Sequence, residues 1–156
     1  MRFLGIVAAI SVGLSAPAAA EPFHSAKTID GAPFDSAGKV TIVHYWATWC
    51  APCRAEMPIL DAYYRKHHDQ GLQMIAVSIE QGVSAEKLKA IAGKFAFPAA
   101  RIDDVKMPRR DIPVAIPVNR VYDKSGRLAW QSKGDGRTIT DMATLERVVT
   151  PLLARR

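Results

Sequence analysis

The chain has 156 residues, of which 49% are hydrophobic and 23% are charged, and its formal net charge is +6. A chain of this length can form one domain with a hydrophobic core. The basic residues are scattered, and no Lys/Arg run or alternation of basic and aromatic residues indicates a nucleic-acid groove, so we expect no nucleic-acid partner.

Residues 1–20 have the pattern of a cleavable signal peptide: a positive charge, the apolar segment Phe3–Leu14, and small residues before a cut at Glu21. The apolar segment is shorter than the about 20 residues that a membrane span needs. We therefore predict export to the periplasm and one domain over residues 21–156. A retained anchor that holds the domain at the periplasmic face of the membrane is the alternative.

The first half of this domain should alternate strands and helices. Residues 21–39 are rich in turn-forming residues and should contain one or two short strands. Residues 39–46 and 72–79 are β-branched and apolar on both faces, which is typical of a central strand covered on both sides. Between these two strands a helix is predicted over 52–68, closed by Gly71.

The second half begins with a predicted helix over 84–95, capped by Ser84. Residues 98–116 contain several prolines and are predicted to be a loop that could include a short strand. Residues 117–123 and 127–133 flank a Lys-Ser-Gly turn and should pair as an antiparallel hairpin.

A last helix can be capped by Asp141 and should kink or end at Pro151. Its apolar face carries Leu145, Val148, Val149 and Leu152. The predicted order is therefore β-α-β-α-β-β-α. Parallel strands joined by helices and followed by a hairpin indicate an α/β fold, with a central mixed sheet flanked by helices on both faces.

Cys50 and Cys53 are the only cysteines in the sequence, and three roles are open to them. As a structural staple they would close a four-residue loop, which gives roughly 2 kcal/mol against about 4.7 kcal/mol for a hundred-residue loop. As a metal clip they would supply two of the three or four ligands that a site needs. The four histidines show no ligand spacing to the pair, and we predict no metal site; these are His24, His44, His67 and His68.

The third role, a redox couple, fits the local pattern best. Cys50 follows a strand and Pro52 favours the first helical turn, so free backbone N–H groups and the helix dipole should stabilise a Cys50 thiolate. Cys53 lies one turn further on the same helix face, within disulfide reach. We therefore predict that Cys50 is exposed and attacks a substrate disulfide, and that the sheltered Cys53 resolves the mixed disulfide.

The segment GKVTIVHYWATWCAPCRAEMP (38–58) resembles the signature of the TlpA/ResA-like extracytoplasmic thiol–disulfide oxidoreductases of the thioredoxin superfamily. The similarity continues through VSIE and DIPVAIPVNRVYDKSGRL (111–128). The resemblance implies a thioredoxin-like fold and a redox-active Cys50–Cys53 disulfide.

The resemblance also implies a substrate-binding surface beside the cysteines. Pro117, preceded by Ile116, matches the cis-proline that offers backbone to an extended substrate segment in the superfamily. Spacing alone favours a different role for Pro117, as the start of an edge strand, and makes Pro113 a rival position. The other implied members of this surface surround the cysteines and are Trp49, Ala51 and Pro52.

Two further positions are candidates for proton transfer. Glu56 matches the family's active-site glutamate, and a carboxylate one turn beyond Cys53 could accept its proton; an ordinary exposed glutamate is the alternative. His44 stands where related proteins carry Asp or Asn. A buried imidazole could exchange protons with Cys53, and a neutral, hydrogen-bonded core histidine is an equal alternative.

These expectations predict an exported thiol–disulfide oxidoreductase that requires no cofactor, because its sulfurs carry both electrons. The resemblance implies a reductant of specific partner proteins, for example in cytochrome c maturation, that is recharged by a membrane thiol reductant. We expect the protein to be a monomer. The alternatives are a thioredoxin-fold copper or haem chaperone and a periplasmic disulfide oxidase or isomerase.

Overall fold

The structure is a computed structural model that describes Phe23, residues 25–132, Ile139 and residues 141–155. The predicted signal peptide over residues 1–20 lies outside the described residues. In the described part of the chain, no helix combines the length and the hydrophobicity that a membrane crossing requires.

The described strands form one mixed sheet. They are β1 (Ser25–Thr28), β2 (Pro33–Asp35), β3 (Val40–Trp46), β4 (Leu72–Ser78), β5 (Ala99–Val105), β6 (Val118–Tyr122) and β7 (Leu128–Gln131). Their spatial order is β2-β1-β5-β4-β3-β6-β7. The three central strands β5, β4 and β3 are parallel, and every other pairing is antiparallel.

The helices connect the strands and follow them. They are α1 (Ala51–His67), α2 (Ala85–Ala92), α3 (Met142–Val148) and α4 (Thr150–Ala154), with 3₁₀ turns at His68–Gln70 and Arg109–Asp111. The predicted caps Ser84 and Asp141 each accept a backbone N–H in the first turn of α2 and α3. Gly71 follows the first 3₁₀ turn at φ 92°, a left-handed conformation that favours glycine.

The central strands, the long helix, the hairpin and the break before Pro151 are confirmed. The predicted loop over 98–116 does include a strand, but β5 is longer than the short strand expected there, because it occupies seven of these residues. Arg101, Asp103 and Asp104 interrupt its apolar pattern, but hydrogen bonding to β4 on one side and β1 on the other holds it extended. Helix α2 ends at Ala92 rather than at residue 95.

The α/β class is confirmed, but the two faces of the sheet are covered differently. The buried apolar side chains of α1, α2, α3 and α4 all belong to one cluster, with Val40, Ile42 and Trp46 of β3. The second face is covered by Phe23, Phe34 and side chains next to the second 3₁₀ turn. In the described residues, that turn is therefore the helical element on the second face.

Candidate active site

A tight turn between β3 and α1 carries the cysteines. Within it, the Cys50 backbone N–H donates to the Ala47 carbonyl at 3.0 Å. The Glu80 carboxylate, just beyond β4, accepts from both the backbone N–H and the hydroxyl of Thr48. The neighbouring parallel strand thus anchors the turn at the carboxyl edge of the sheet. Sequence reasoning missed Glu80, although a carboxylate directly after a buried strand was a usable signal.

Cys50 is the N-cap residue of α1. Its Sγ accepts the backbone N–H of Cys53 at 3.3 Å, so the sulfur satisfies one of the free donors at the start of the helix. The two cysteines are bonded to each other as a disulfide, with their Cα atoms 5.3 Å apart. The backbone therefore directs a hydrogen-bond donor and the positive end of the helix dipole at the Cys50 sulfur.

The prediction that Cys50 is exposed is wrong for this disulfide form. Cys50 keeps 4% of its surface accessible and Cys53 keeps none. Both belong to the core cluster beneath α1, because the bonded Cys50 sulfur faces the helix start and its partner rather than solvent. The predicted order of exposure holds, but the difference between the two is small.

An apolar surface surrounds the pair. Trp49 is 67% exposed, and Ala51 and Pro52 are exposed at the start of α1. The Ile116–Pro117 peptide bond is cis, as the resemblance implies, and Ile116 packs against the cluster that includes both cysteines. Pro117 does not begin an edge strand, since β6 pairs with β3 on one side and β7 on the other.

Three buried polar side chains meet between β3, β6 and α1. His44 lies opposite Asn119 in the β3–β6 register, and His44 Nδ1 is 2.9 Å from Asn119 Oδ1. Asn119 Nδ2 donates to Glu56 Oε2 at 2.6 Å, and the Ile139 backbone N–H donates to Glu56 Oε1 at 2.5 Å. His44 and Asn119 are fully buried and Glu56 is 1% exposed, so the alternative of an exposed helix glutamate is wrong.

Burial shifts both titratable groups toward their neutral forms. It lowers the pKa of His44 to about 4, against opposing effects of the Asn119 side chain and the Cys53 backbone. Burial also raises the pKa of Glu56, against the hydrogen bonds from Asn119 and Ile139. His44 Nδ1 and Glu56 Oε2 are 3.5 Å apart, but a neutral imidazole does not form an ion pair near pH 7.

Sequence reasoning missed Asn119 and Ile139. Asn119 had a usable signal, because strand alternation places its polar side chain on the same face as the buried Val121. Ile139 donates through its backbone N–H, and the type of a residue does not indicate such a role.

Among the described residues, no group of three or more His, Cys, Asp or Glu side chains could hold a metal ion.

The fold and the site define a thioredoxin-fold protein with a Cys-x-x-Cys pair at a helix N-terminus. The sequence profile of the AhpC/TSA family matches residues 12–131, and the chain belongs to this family. The secreted Mycobacterium tuberculosis disulfide oxidoreductase homologous to E. coli DsbE has a similar fold. Its TM-score is 0.67 at 21% identity, over 83% of this chain and 96% of that one.

Curated relatives match over part of their length. Thiol-disulfide oxidoreductase ResA of Bacillus thuringiensis subsp. konkukian (strain 97-27) is 28% identical over 101 residues, which cover 65% of this chain and 58% of the relative. Thioredoxin-like protein YneN of Bacillus subtilis (strain 168) is 31% identical over 110 residues, which cover 67% of this chain and 64% of that protein. The chain thus spans less than two thirds of these relatives.

The buried His44 should make the protein sensitive to acid. The unfolded chain binds a proton at His44 near pH 6.5 and the native state near pH 4, so native stability is lost as the pH falls through this window. The loss should reach about 3 kcal/mol. Denaturant unfolding of the oxidised protein between pH 7 and pH 4 measures it.

The difference between the wild type and His44→Asn isolates this contribution. Glu56 acts in the opposite direction, because a raised carboxyl pKa favours the native state on acidification, and it is present in both proteins. His68→Asn changes a half-exposed histidine and serves as the control. If the free energy of unfolding changes equally with pH in the wild type and in His44→Asn, His44 is not held neutral by burial.

Proposed function

We propose that this protein is an exported thiol–disulfide oxidoreductase whose electrons pass through Cys50 and Cys53. The observation that carries the proposal is the position of the Cys50 sulfur as the N-cap of α1, bonded to Cys53 one turn inside the helix. A sulfur at a helix N-terminus is stabilised as a thiolate, the form that attacks disulfides. The name of the ResA relative, a thiol-disulfide oxidoreductase, supports the same chemistry.

The first step uses the reduced protein. The Cys50 thiolate, whose proton is in solution, attacks one sulfur of a substrate disulfide. The substrate S–S bond breaks as a bond forms between Cys50 and the attacked sulfur. The other substrate sulfur leaves as a thiolate and takes up a proton from solution. The product is a mixed disulfide between Cys50 and the substrate.

The second step releases the substrate. Cys53 gives its thiol proton to the Glu56 carboxylate and attacks Cys50 Sγ, so that the Cys50–Cys53 disulfide forms. The substrate sulfur that was bonded to Cys50 now leaves, and the proton held by Glu56 passes to this sulfur. Two electrons have moved from the cysteine pair to the substrate, and no cofactor is needed for this exchange.

The surface around the pair suits an extended apolar segment of a partner protein. Trp49, Ala51 and Pro52 are exposed beside the cysteines, and the cis-bonded Ile116–Pro117 segment precedes β6. Exposed apolar surface beside a reactive group is typical of a docking site. We therefore assign these residues to substrate binding.

Two features of the sequence support a direction and a location for the proposed reaction. The Ala-Pro pair between the cysteines is closer to the Gly-Pro of thioredoxin than to the Pro-His of strong oxidants, which favours reduction of partners. Export through residues 1–20 would place the protein in an oxidising compartment, so a membrane thiol reductant would have to recharge it. We propose that it acts as a monomer on selected proteins, with cytochrome c maturation as the first candidate pathway.

A trapping experiment tests this function. In Cys53→Ser, the mixed disulfide with Cys50 cannot be resolved, so partner proteins should accumulate as covalent adducts that reducing agent releases. Cys50→Ser, the matched control, should trap nothing. Absence of adducts in Cys53→Ser, together with stoichiometric copper on the reduced wild type, would contradict the proposal and favour a metal chaperone.

The Glu56→Gln variant tests the proton acceptor. A carboxylate accepts a proton only when ionised, so exchange by the wild type should slow as the pH falls through the raised pKa of Glu56. Glu56→Gln should lose this dependence and exchange roughly 10²-fold more slowly near pH 7. Stopped-flow measurement of mixed-disulfide resolution against pH checks both effects.

The control is Glu86→Gln, which removes a carboxylate from the exposed face of α2. It should leave both the rate and the pH profile of resolution at their wild-type values. An unchanged profile in Glu56→Gln would exclude Glu56 as the acceptor of the Cys53 proton.

A further inference from the structure

Asn119 is the only asparagine in the sequence, and it lies fully buried between the two titratable groups of the site. Its backbone is fixed, because its N–H donates to the Ser132 hydroxyl at 2.8 Å and its carbonyl accepts the Ser132 N–H at 2.9 Å. The side chain is therefore held toward α1, with one amide end at Glu56 and the other at His44.

The chemistry of the Asn119 amide determines which of its atoms contacts Glu56 and which contacts His44. Glu56 uses one carboxylate oxygen to accept the Ile139 N–H and the other to accept from Asn119 Nδ2, an arrangement that suits the ionised form. The remaining amide atom, Oδ1, can only accept a hydrogen bond. His44 Nδ1, at 2.9 Å from Oδ1, must therefore carry the hydrogen.

The other nitrogen of His44 is then a bare acceptor. Nε2 is buried and forms no hydrogen bond with any of the described residues. In the opposite tautomer Nε2 would carry the hydrogen, and Nδ1 would be the acceptor. That arrangement would turn the Asn119 amide round and place its carbonyl oxygen against the Glu56 carboxylate, which requires a protonated Glu56.

We propose that Asn119 is a positioning residue that locks His44 in the Nδ1–H tautomer and holds Glu56 as the ionised acceptor of the Cys53 proton. The proposal rests on the proposed function, since it names the group that takes this proton. It assigns His44 a supporting role: the imidazole completes the hydrogen bonds of the amide, and Glu56 performs the transfer. Among the described residues, the titratable groups placed beside Glu56 are His44 on β3, with Nδ1 at 3.5 Å, and Cys53, three positions earlier on α1.

Nuclear magnetic resonance of the unmodified protein tests the tautomer directly. In oxidised wild type labelled with ¹⁵N in its imidazoles, long-range ¹H–¹⁵N correlation at pH 7 should show His44 with a protonated Nδ1 and a bare Nε2. A protonated Nε2 and bare Nδ1 would overturn the proposal. This measurement needs no substitution and no activity.

Substitution of the amide tests its effect on Glu56. Asn119→Leu removes a hydrogen bond that stabilises the carboxylate, so the pH midpoint of mixed-disulfide resolution should rise by about one unit. At a pH below that midpoint, Asn119→Leu should resolve the mixed disulfide about tenfold more slowly than the wild type. A folded Asn119→Leu protein with the wild-type midpoint would overturn the proposal.

A second buried histidine provides the matched control. His67 Nδ1 lies 3.1 Å from the Gln70 amide oxygen, on α1 and the 3₁₀ turn that follows it. Gln70→Leu therefore removes a similar amide from a similar imidazole and should leave the midpoint unchanged. Should wild type exchange no disulfides at all, the proposed function fails, whereas the tautomer is still decided by the resonance measurement.

Discussion

The hydrogen bond from the Cys53 N–H to the Cys50 sulfur is the interaction on which the rest of the site depends. Free N–H groups at the start of a helix need acceptors, and here the acceptor is the reactive atom itself. Once Cys50 caps α1, helical geometry places Cys53 one turn inside and Glu56 one turn further, on the same face. The sequence spacing of three therefore places Cys50, Cys53 and Glu56 in a line on the buried side of the helix.

The far end of that line is a cluster of buried polar groups. Burial of such groups costs free energy unless every group has a hydrogen-bond partner. β3 supplies His44, β6 supplies Asn119, and the segment before α3 supplies the Ile139 N–H. Each polar atom of the Glu56 carboxylate has a donor, so the charge is tolerated in the core. Burial nevertheless raises the pKa of Glu56, so its carboxylate is a stronger base than that of an exposed glutamate.

The sequence predicts those parts of the fold that local patterns determine. The strands around Val43 and Ile75 are apolar on both faces, and the cap, proline and glycine signals define the helices. It predicts no more than a short strand in the loop that contains β5, because charged residues interrupt the apolar pattern and pairing with two neighbours decides the conformation. The 3₁₀ turn Arg109–Asp111, near the second face, belongs to the same region of the chain.

In the candidate site too, local spacing predicts some of the contacts and tertiary pairing determines the others. Cys50, Cys53 and Glu56 share one helix, so their relation follows from spacing. His44 and Asn119 are 75 positions apart, and their contact depends on the β3–β6 register, which one sequence does not reveal. The burial of Cys50 also depends on tertiary packing, and a helix-start pattern alone suggests more exposure than the disulfide form has.

The pH dependence of Cys50 reactivity decides whether the start of α1 stabilises the Cys50 thiolate. In fully reduced Cys53→Ala protein, the rate of alkylation by iodoacetamide is measured from pH 4 to pH 10. The N-cap position predicts a rate midpoint of roughly 3.5–7.5, below the about 8.5 of an ordinary thiol. A midpoint at or above that of an ordinary peptide thiol would show that the helix start does not stabilise the Cys50 thiolate, and that Cys50 is not activated by its N-cap position.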